Sequence, residues 1–118
     1  AVDSGVEAIA ISNHGGRQLD DAPAPFDLLP EVAEAVRDRL EIICDGGVRR
    51  GSDIVKAVSL GANAVMAGRP YLYALAACGE SGVDHVLDLL HEGVERTMAL
   101  TGAASVDDLT KELISRTK

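Results

Sequence analysis

The 118-residue sequence predicts an α/β fold built on a parallel sheet. Short apolar runs alternate with amphipathic stretches three times in succession, the pattern of repeated strand–loop–helix units. The apolar runs are nearly continuous rather than alternating, as expected for strands covered on both faces. Each pair of runs is separated by enough chain for a helical crossover, which parallel pairing requires.

The first strand is predicted over about residues 6–12, from Val6 to Ser12. A long loop follows, and Pro23 and Pro25 mark it as non-helical. Asp27 is the expected N-cap of the first helix, with Pro30 in its first turn and Val32, Val36 and Leu40 on one stripe at helical spacing. The helix should run to about Arg39. Ile42, Ile43 and Cys44 form the second strand, ended by Asp45-Gly46-Gly47. A helix starting at Gly51 or Ser52 carries Ile54, Val55 and Val58 inward and stops near Gly61. Ala64 to Ala67 make the third strand, closed by Gly68-Arg69-Pro70, and Pro70 can open a short helix through about Ala77. Gly79-Glu80-Ser81-Gly82 is expected to be a loop. An amphipathic helix over about 83–101 then presents Val86, Leu87, Leu90, Val94 and Met98 inward, and Gly102 ends it. Ser105 is placed as the cap of a last helix from about Val106 to Arg116, with Asp107 and Asp108 in its first turn.

Three strands cannot close a barrel. The elements therefore fit the last three βα units of an eight-stranded TIM (β/α)8 barrel, at about residues 1–78, followed by a C-terminal helical extension at about 79–118. A small open doubly wound sheet is the other architecture this element order allows.

Composition narrows the function. The chain is 47% hydrophobic and 25% charged, enough for a core and unlike a disordered segment. A formal net charge of −8 argues against nucleic acid or an anionic membrane surface as partner. No apolar run approaches the roughly 20 residues of a membrane span. Cys44 and Cys78 have neither metal-ligand nor CxxC spacing, so reduced structural thiols and no metal site are expected. Without a signal peptide or an initiator Met, the chain is expected to be cytoplasmic and a fragment.

The polar residues that carry chemistry cluster at the ends of the predicted strands. Residues 12–18 read Ser-Asn-His-Gly-Gly-Arg-Gln. His14 can take a proton near neutral pH. Arg17 can hold a carboxylate through two parallel hydrogen bonds, while Gly15 and Gly16 permit a sharp turn and a close ligand. A base beside a carboxylate clamp suits oxidation of an α-hydroxy acid. After the second strand, Gly46, Gly47 and Val48 offer backbone N–H groups just before a helix, and Arg49 can reach the same anion. Gly68 and Arg69 repeat that arrangement after the third strand. Phosphate sites in such barrels are often built from the last two strand–helix loops. Asp45 stands at the carboxyl end of the second strand, where it can orient Arg49 or contact a ligand. His85 and His91 carry no motif.

Three motifs, Ser-Asn-His-Gly-Gly-Arg-Gln-Leu-Asp at 12–20, Asp-Gly-Gly-Val-Arg at 45–49 and Gly-Arg-Pro at 68–70, resemble in order and spacing the C-terminal part of the FMN-dependent 2-hydroxy acid oxidases and dehydrogenases. This family includes glycolate oxidase, lactate oxidase, lactate monooxygenase and L-lactate dehydrogenases, and the resemblance covers about residues 1–102. It implies FMN as cofactor and a small (S)-2-hydroxy acid as substrate. By the same resemblance His14 is the active-site base, Arg17 pairs with the substrate carboxylate, and Ser12 contacts the flavin ring. Asp45, Gly46, Gly47, Val48, Arg49, Gly68 and Arg69 would complete the cofactor site. The family also uses a lysine on the preceding strand and tyrosines from its N-terminal half. Tyr71 and Tyr73 follow the third strand and match neither, so they are expected to be packing or helix-surface residues.

The second and third motifs also resemble other phosphate-binding barrels such as IMP dehydrogenase. That enzyme class uses a cysteine nucleophile, for which neither Cys44 nor Cys78 is placed. A non-catalytic FMN- or phosphate-binding half-barrel is the remaining alternative. Open strand edges predict a homo-oligomer or association with the missing N-terminal half.

Overall fold

The computed structural model describes residues 1–37 and 39–115. Its sheet has three parallel strands in the order β1 (Ala8–Ser12), β2 (Glu41–Asp45), β3 (Ala64–Met66). Helix α1 (Pro25–Val36) joins the first two strands and α2 (Gly51–Ser59) joins the second and third. A long helix, α3 (Arg69–Thr101), follows β3, and two 3-10 turns, Val106–Asp108 and Lys111–Leu113, finish the described chain.

Strand register sorts the side chains by face. Ile11, Cys44 and Val65 align across the sheet, as do Ile9 and Ile42. These residues face the helices and pack with Leu29 and Val36 of α1 and with Ala57 of α2. Leu29 and Cys44 are completely buried. Each such aliphatic side chain contributes about 1.5–3 kcal/mol by leaving water. On the opposite face Ala10, Ile43 and Ala64 form one row, and Ser12, Asp45 and Met66 form the row above it. Ala8, Ala10, Ser12, Ala64 and Met66 are exposed there. Asn63 pins the entry to β2: its side-chain oxygen accepts from the Ile42 N–H and its own N–H donates to the Ile42 carbonyl, both at 2.8 Å.

Several boundaries differ from the sequence expectation. Helix α1 starts at Pro25 with Ala24 as its cap, so Asp27 lies in the first turn and Pro30 inside the helix. A proline at the first position needs no N–H partner, which favours the earlier start. The expected loop at 79–82 is a single break: Gly79 adopts φ 63°, ψ −144° and the helix resumes at once. A side chain at Gly82 would strike the Ala74 carbonyl, so the two arms of α3 approach closely at this kink. The last expected helix is instead the pair of 3-10 turns. Asp108 accepts from the N–H groups of Ala104 and Ser105, closing one turn, and Leu109 and Thr110 are then extended. Its expected end at Arg116 lies outside the described residues. Among the described residues no helix is long and apolar enough to cross a membrane.

The contact between α2 and α3 is unusually close. A Cβ on Gly51 would collide with the backbone of Gly93 and Val94, and one on Gly93 would lie 3.0 Å from the Gly51 nitrogen. Two glycines therefore let the helices touch backbone to backbone, and this contact fixes the start of α2 directly behind the loop after β2.

Candidate active site

The carboxyl ends of the three strands bring Ser12, Asp45 and Met66 into one row, and the loops that leave them converge above it. Ser12 ties the first two loops together. Its hydroxyl donates to Asp45 Oδ2 at 2.6 Å and accepts from the His14 backbone N–H at 3.1 Å. His14 has φ 54°, and Gly15 and Gly16 follow at 68° and 73°. Two glycines adopt this left-handed run freely, but for His14 it costs about 1–2 kcal/mol. Such strain concentrates at functional sites. The imidazole stays exposed. Asn13 braces the loop through Pro23, donating from Nδ2 to the carbonyl at 3.3 Å.

The loop after β2 turns through Gly46 (φ 117°) and Gly47 (φ 82°), then buries Val48. The next two N–H groups, of Arg49 and Arg50, both donate to Asp53 Oδ2 at 3.0 Å. Asp53 thus sets the chain's own carboxylate on the two N–H groups that lead into α2. What this loop can present to an external anion is the glycine segment before it and the Arg49 side chain. The loop after β3 is shorter. Gly68 caps α3 and Arg69 is the first helical residue. The Arg69 guanidinium lies over Gly15, with Nη2 3.5 Å from where a Cβ would stand. The first and third loops are therefore in contact.

These loops enclose a cleft of about 450 Å³. His14, Arg17, Asp45, Gly46, Gly47, Val48, Arg49, Gly68 and Arg69 all line it. Of the residues expected to touch cofactor or substrate, Ser12 lies outside, on an adjoining cavity with Gln18 and Leu28, and Gly16 does not line the cleft either; His14 and Asp45 border both cavities. Three guanidinium groups face one carboxylate there, in a chain whose formal net charge is −8. The cleft is thus the place where this acidic molecule can receive an anion. Behind Asp45, burial and the neighbouring carboxylate raise the Cys44 thiol pKa above its ordinary value, which keeps the thiol protonated.

Sequence reasoning missed Met66, Leu72 and Tyr73, which also line the cleft. The available signal was helical spacing, since Leu72 and Tyr73 lie one turn beyond Arg69 on the same face of α3. His85 and His91 do not border the cleft; His91 lies 3.9 Å from Glu95 on the exposed side of α3. Among the described residues no group of three His, Cys, Asp or Glu could hold a metal ion.

A histidine and three arginines thus gather at the carboxyl ends of parallel strands, where the strand–helix loops of α/β folds commonly seat phosphorylated ligands. Comparison with known proteins gives the family: the FMN-dependent dehydrogenase model matches residues 1–116, and the chain belongs to that family. It is 55% identical over 95% of its length to the pre-mycofactocin synthase of Mycolicibacterium smegmatis, and 54% identical over 94% to a peroxisomal (S)-2-hydroxyacid oxidase of Arabidopsis thaliana. It spans 28% and 31% of those two relatives. A crystal structure of mandelate oxidase with (S)-2-phenylpropionate superposes with TM-score 0.89 at 49% identity, covering 92% of this chain and 33% of that one.

The cleft suits FMN, the family's cofactor. Gly46 and Gly47 line the cleft at positive φ, a turn that glycine adopts freely, and Arg49 and Arg69 beside them carry the cationic donors that suit a phosphate dianion.

Proposed function

We propose that the protein carrying this chain is an FMN-dependent (S)-2-hydroxy acid oxidoreductase that converts acids such as lactate or glycolate to 2-oxo acids. In this proposal the chain forms the last three βα units of a TIM barrel and the helices that follow. The observation that carries it is the single cleft that gathers His14 and Arg17 from one loop with Arg49 and Arg69 from the next two. The row of exposed Ala10, half-buried Ile43 and exposed Ala64, with the open edges of β1 and β3, supports a sheet that continues into further strands.

Arg17 holds the substrate carboxylate by a two-pronged hydrogen bond and so points the α-carbon toward His14. His14 removes a proton from the substrate, from the α-carbon or from the hydroxyl, and becomes the imidazolium. Bound FMN would supply the two-electron acceptor for this oxidation and the destination of the substrate's second hydrogen. Arg49, Arg69 and the Gly46–Val48 backbone hold the phosphate end, and Asp45 contacts the cofactor from the end of β2. The Ser12 proton is engaged by Asp45 and one lone pair by His14, so Ser12 meets a flavin ring with its remaining lone pair.

A second reading has its own support. The identity to a pre-mycofactocin synthase is as high as that to a hydroxyacid oxidase, so the substrate of this protein could be that of a synthase in place of a small hydroxy acid. For the chain alone, no turnover is expected, together with homo-oligomerisation or association with an N-terminal half; FMN or phosphate binding without catalysis is the alternative reading. A cytoplasmic location rests on two cysteines that are free thiols; the family also contains peroxisomal members. The test is a visible spectrum of the purified intact protein after removal of free flavin, followed by anaerobic addition of lactate, glycolate and mandelate. Retained flavin bleached by one of these acids supports the oxidoreductase. Retained flavin that none of them bleaches supports the synthase-like reading.

A further inference from the structure

We infer that Asp53 is a positioning residue for the cofactor's phosphate, acting through Arg49. This rests on the proposal that Arg49 grips that phosphate. Helix N-termini attract anions, and the start of α2 would ordinarily be counted among the phosphate's ligands. Here the two N–H groups that lead into the helix are already engaged by the chain itself. One oxygen of Asp53 accepts from the N–H groups of both Arg49 and Arg50 at 3.0 Å, and the Asp53 N–H donates back to the Arg50 carbonyl at 3.0 Å. Three hydrogen bonds lock the two residues that join the glycine turn to the helix. Asp53 itself does not border the cleft, whereas Arg49 does.

The arrangement has a direct physical consequence. The backbone N–H of Arg49 is spent inside the protein, so its guanidinium is what reaches an outside anion. A long arginine side chain grips well when its root is fixed, because less freedom is then lost on binding. Behind the turn, the glycine contact between Gly51 and Gly93 holds the frame to which Asp53 belongs. A carboxylate this close to a phosphate site would by Coulomb's law alone weaken phosphate binding. Positioning and charge therefore predict opposite outcomes, and substitution separates them.

The experiment measures FMN and riboflavin binding to the apo form of the intact protein by quenching of flavin fluorescence. Riboflavin lacks the phosphate and reports on everything else. Asp53→Ala should weaken FMN binding about fivefold or more, the scale set by losing a helix cap, and leave riboflavin binding within twofold. Asp53→Asn keeps an acceptor oxygen and should restore most of the FMN affinity. Arg49→Met is run beside them. If Arg49→Met leaves the FMN-to-riboflavin ratio unchanged, the placement of Arg49 at the phosphate fails. If Arg49→Met lowers that ratio and Asp53→Ala does not, the role given to Asp53 is overturned. Equal losses for both flavins, or tighter FMN binding in both Asp53 variants, would overturn it as well.

Discussion

Substituting Gly51 by Ala should destabilise the protein markedly. The added Cβ would meet the backbone of Gly93 and Val94 at less than contact distance, and backbone cannot rotate away as a side chain can. Over-packing of this kind costs about 1–3 kcal/mol when side chains give way, so a backbone obstacle places Gly51→Ala at the upper end, about 3 kcal/mol. Gly51 opens its helix, so Ala recovers little of the roughly 1 kcal/mol by which it exceeds Gly in helix interiors. Gly93→Ala is the natural comparison. Its Cβ would stand 3.0–3.1 Å from Gly51, a milder clash, and in mid-helix it gains nearly the full propensity difference. Gly93→Ala should therefore cost about 1 kcal/mol or less, once its roughly 1 kcal/mol propensity gain is set against the clash. Differential scanning fluorimetry of the intact protein should show a clear fall in apparent Tm for Gly51→Ala and a smaller one for Gly93→Ala. Gly51→Ala should also weaken FMN binding, because the strained segment adjoins Arg49. Equal or negligible losses in the two variants would refute the close helix contact.

Other outcomes follow from single contacts. Arg17→Lys should raise KM for the hydroxy acid and lower kcat in steady-state kinetics, because an ammonium cannot reproduce the guanidinium fork; unchanged kinetics would remove Arg17 from the carboxylate. Ser12→Ala removes both the partner of Asp45 and the acceptor for the His14 N–H; with each bond worth about 1 kcal/mol, it should lower kcat/KM by up to about thirtyfold and also lower Tm in scanning fluorimetry. Cys44 should resist brief alkylation at pH 8 while Cys78 is labelled, because Cys44 is buried with a raised pKa and Cys78 is exposed. Raising the pH should bring Cys44 labelling in only at higher values than for an ordinary thiol, and peptide mapping by mass spectrometry reads both residues.

Much of this molecule is legible in its sequence because its strands are marked twice, by an apolar run and by the glycine that follows. Ile42-Ile43-Cys44 ending in Asp45-Gly46-Gly47 allows little else, and β2 lies there with one residue added at each end. Helix starts are harder. Asp27 looks like a cap, yet the helix opens two residues earlier, where Pro25 suits the first position and packs with Leu29 in buried positions. The Gly79–Gly82 stretch looks like a loop because two glycines lower helix propensity, yet one of them serves a kink and the other a close approach to Ala74. At the candidate site, the residue types were legible, but their connections were not. That Ser12 spends its proton on Asp45, that Arg69 lies on Gly15, and that Asp53 takes the N–H groups of Arg49 and Arg50 are facts of three-dimensional proximity. No periodicity reports them.

The measurement that bears most directly on the central claim is anaerobic stopped-flow reduction of the bound flavin in the intact protein, wild type against His14→Gln, with the best of lactate, glycolate and mandelate as reductant. With His14 as the base, the variant should keep its flavin and be reduced about a hundredfold or more slowly than wild type, within the range general-base catalysis supplies. Reduction of the His14→Gln flavin at the wild-type rate would contradict the account.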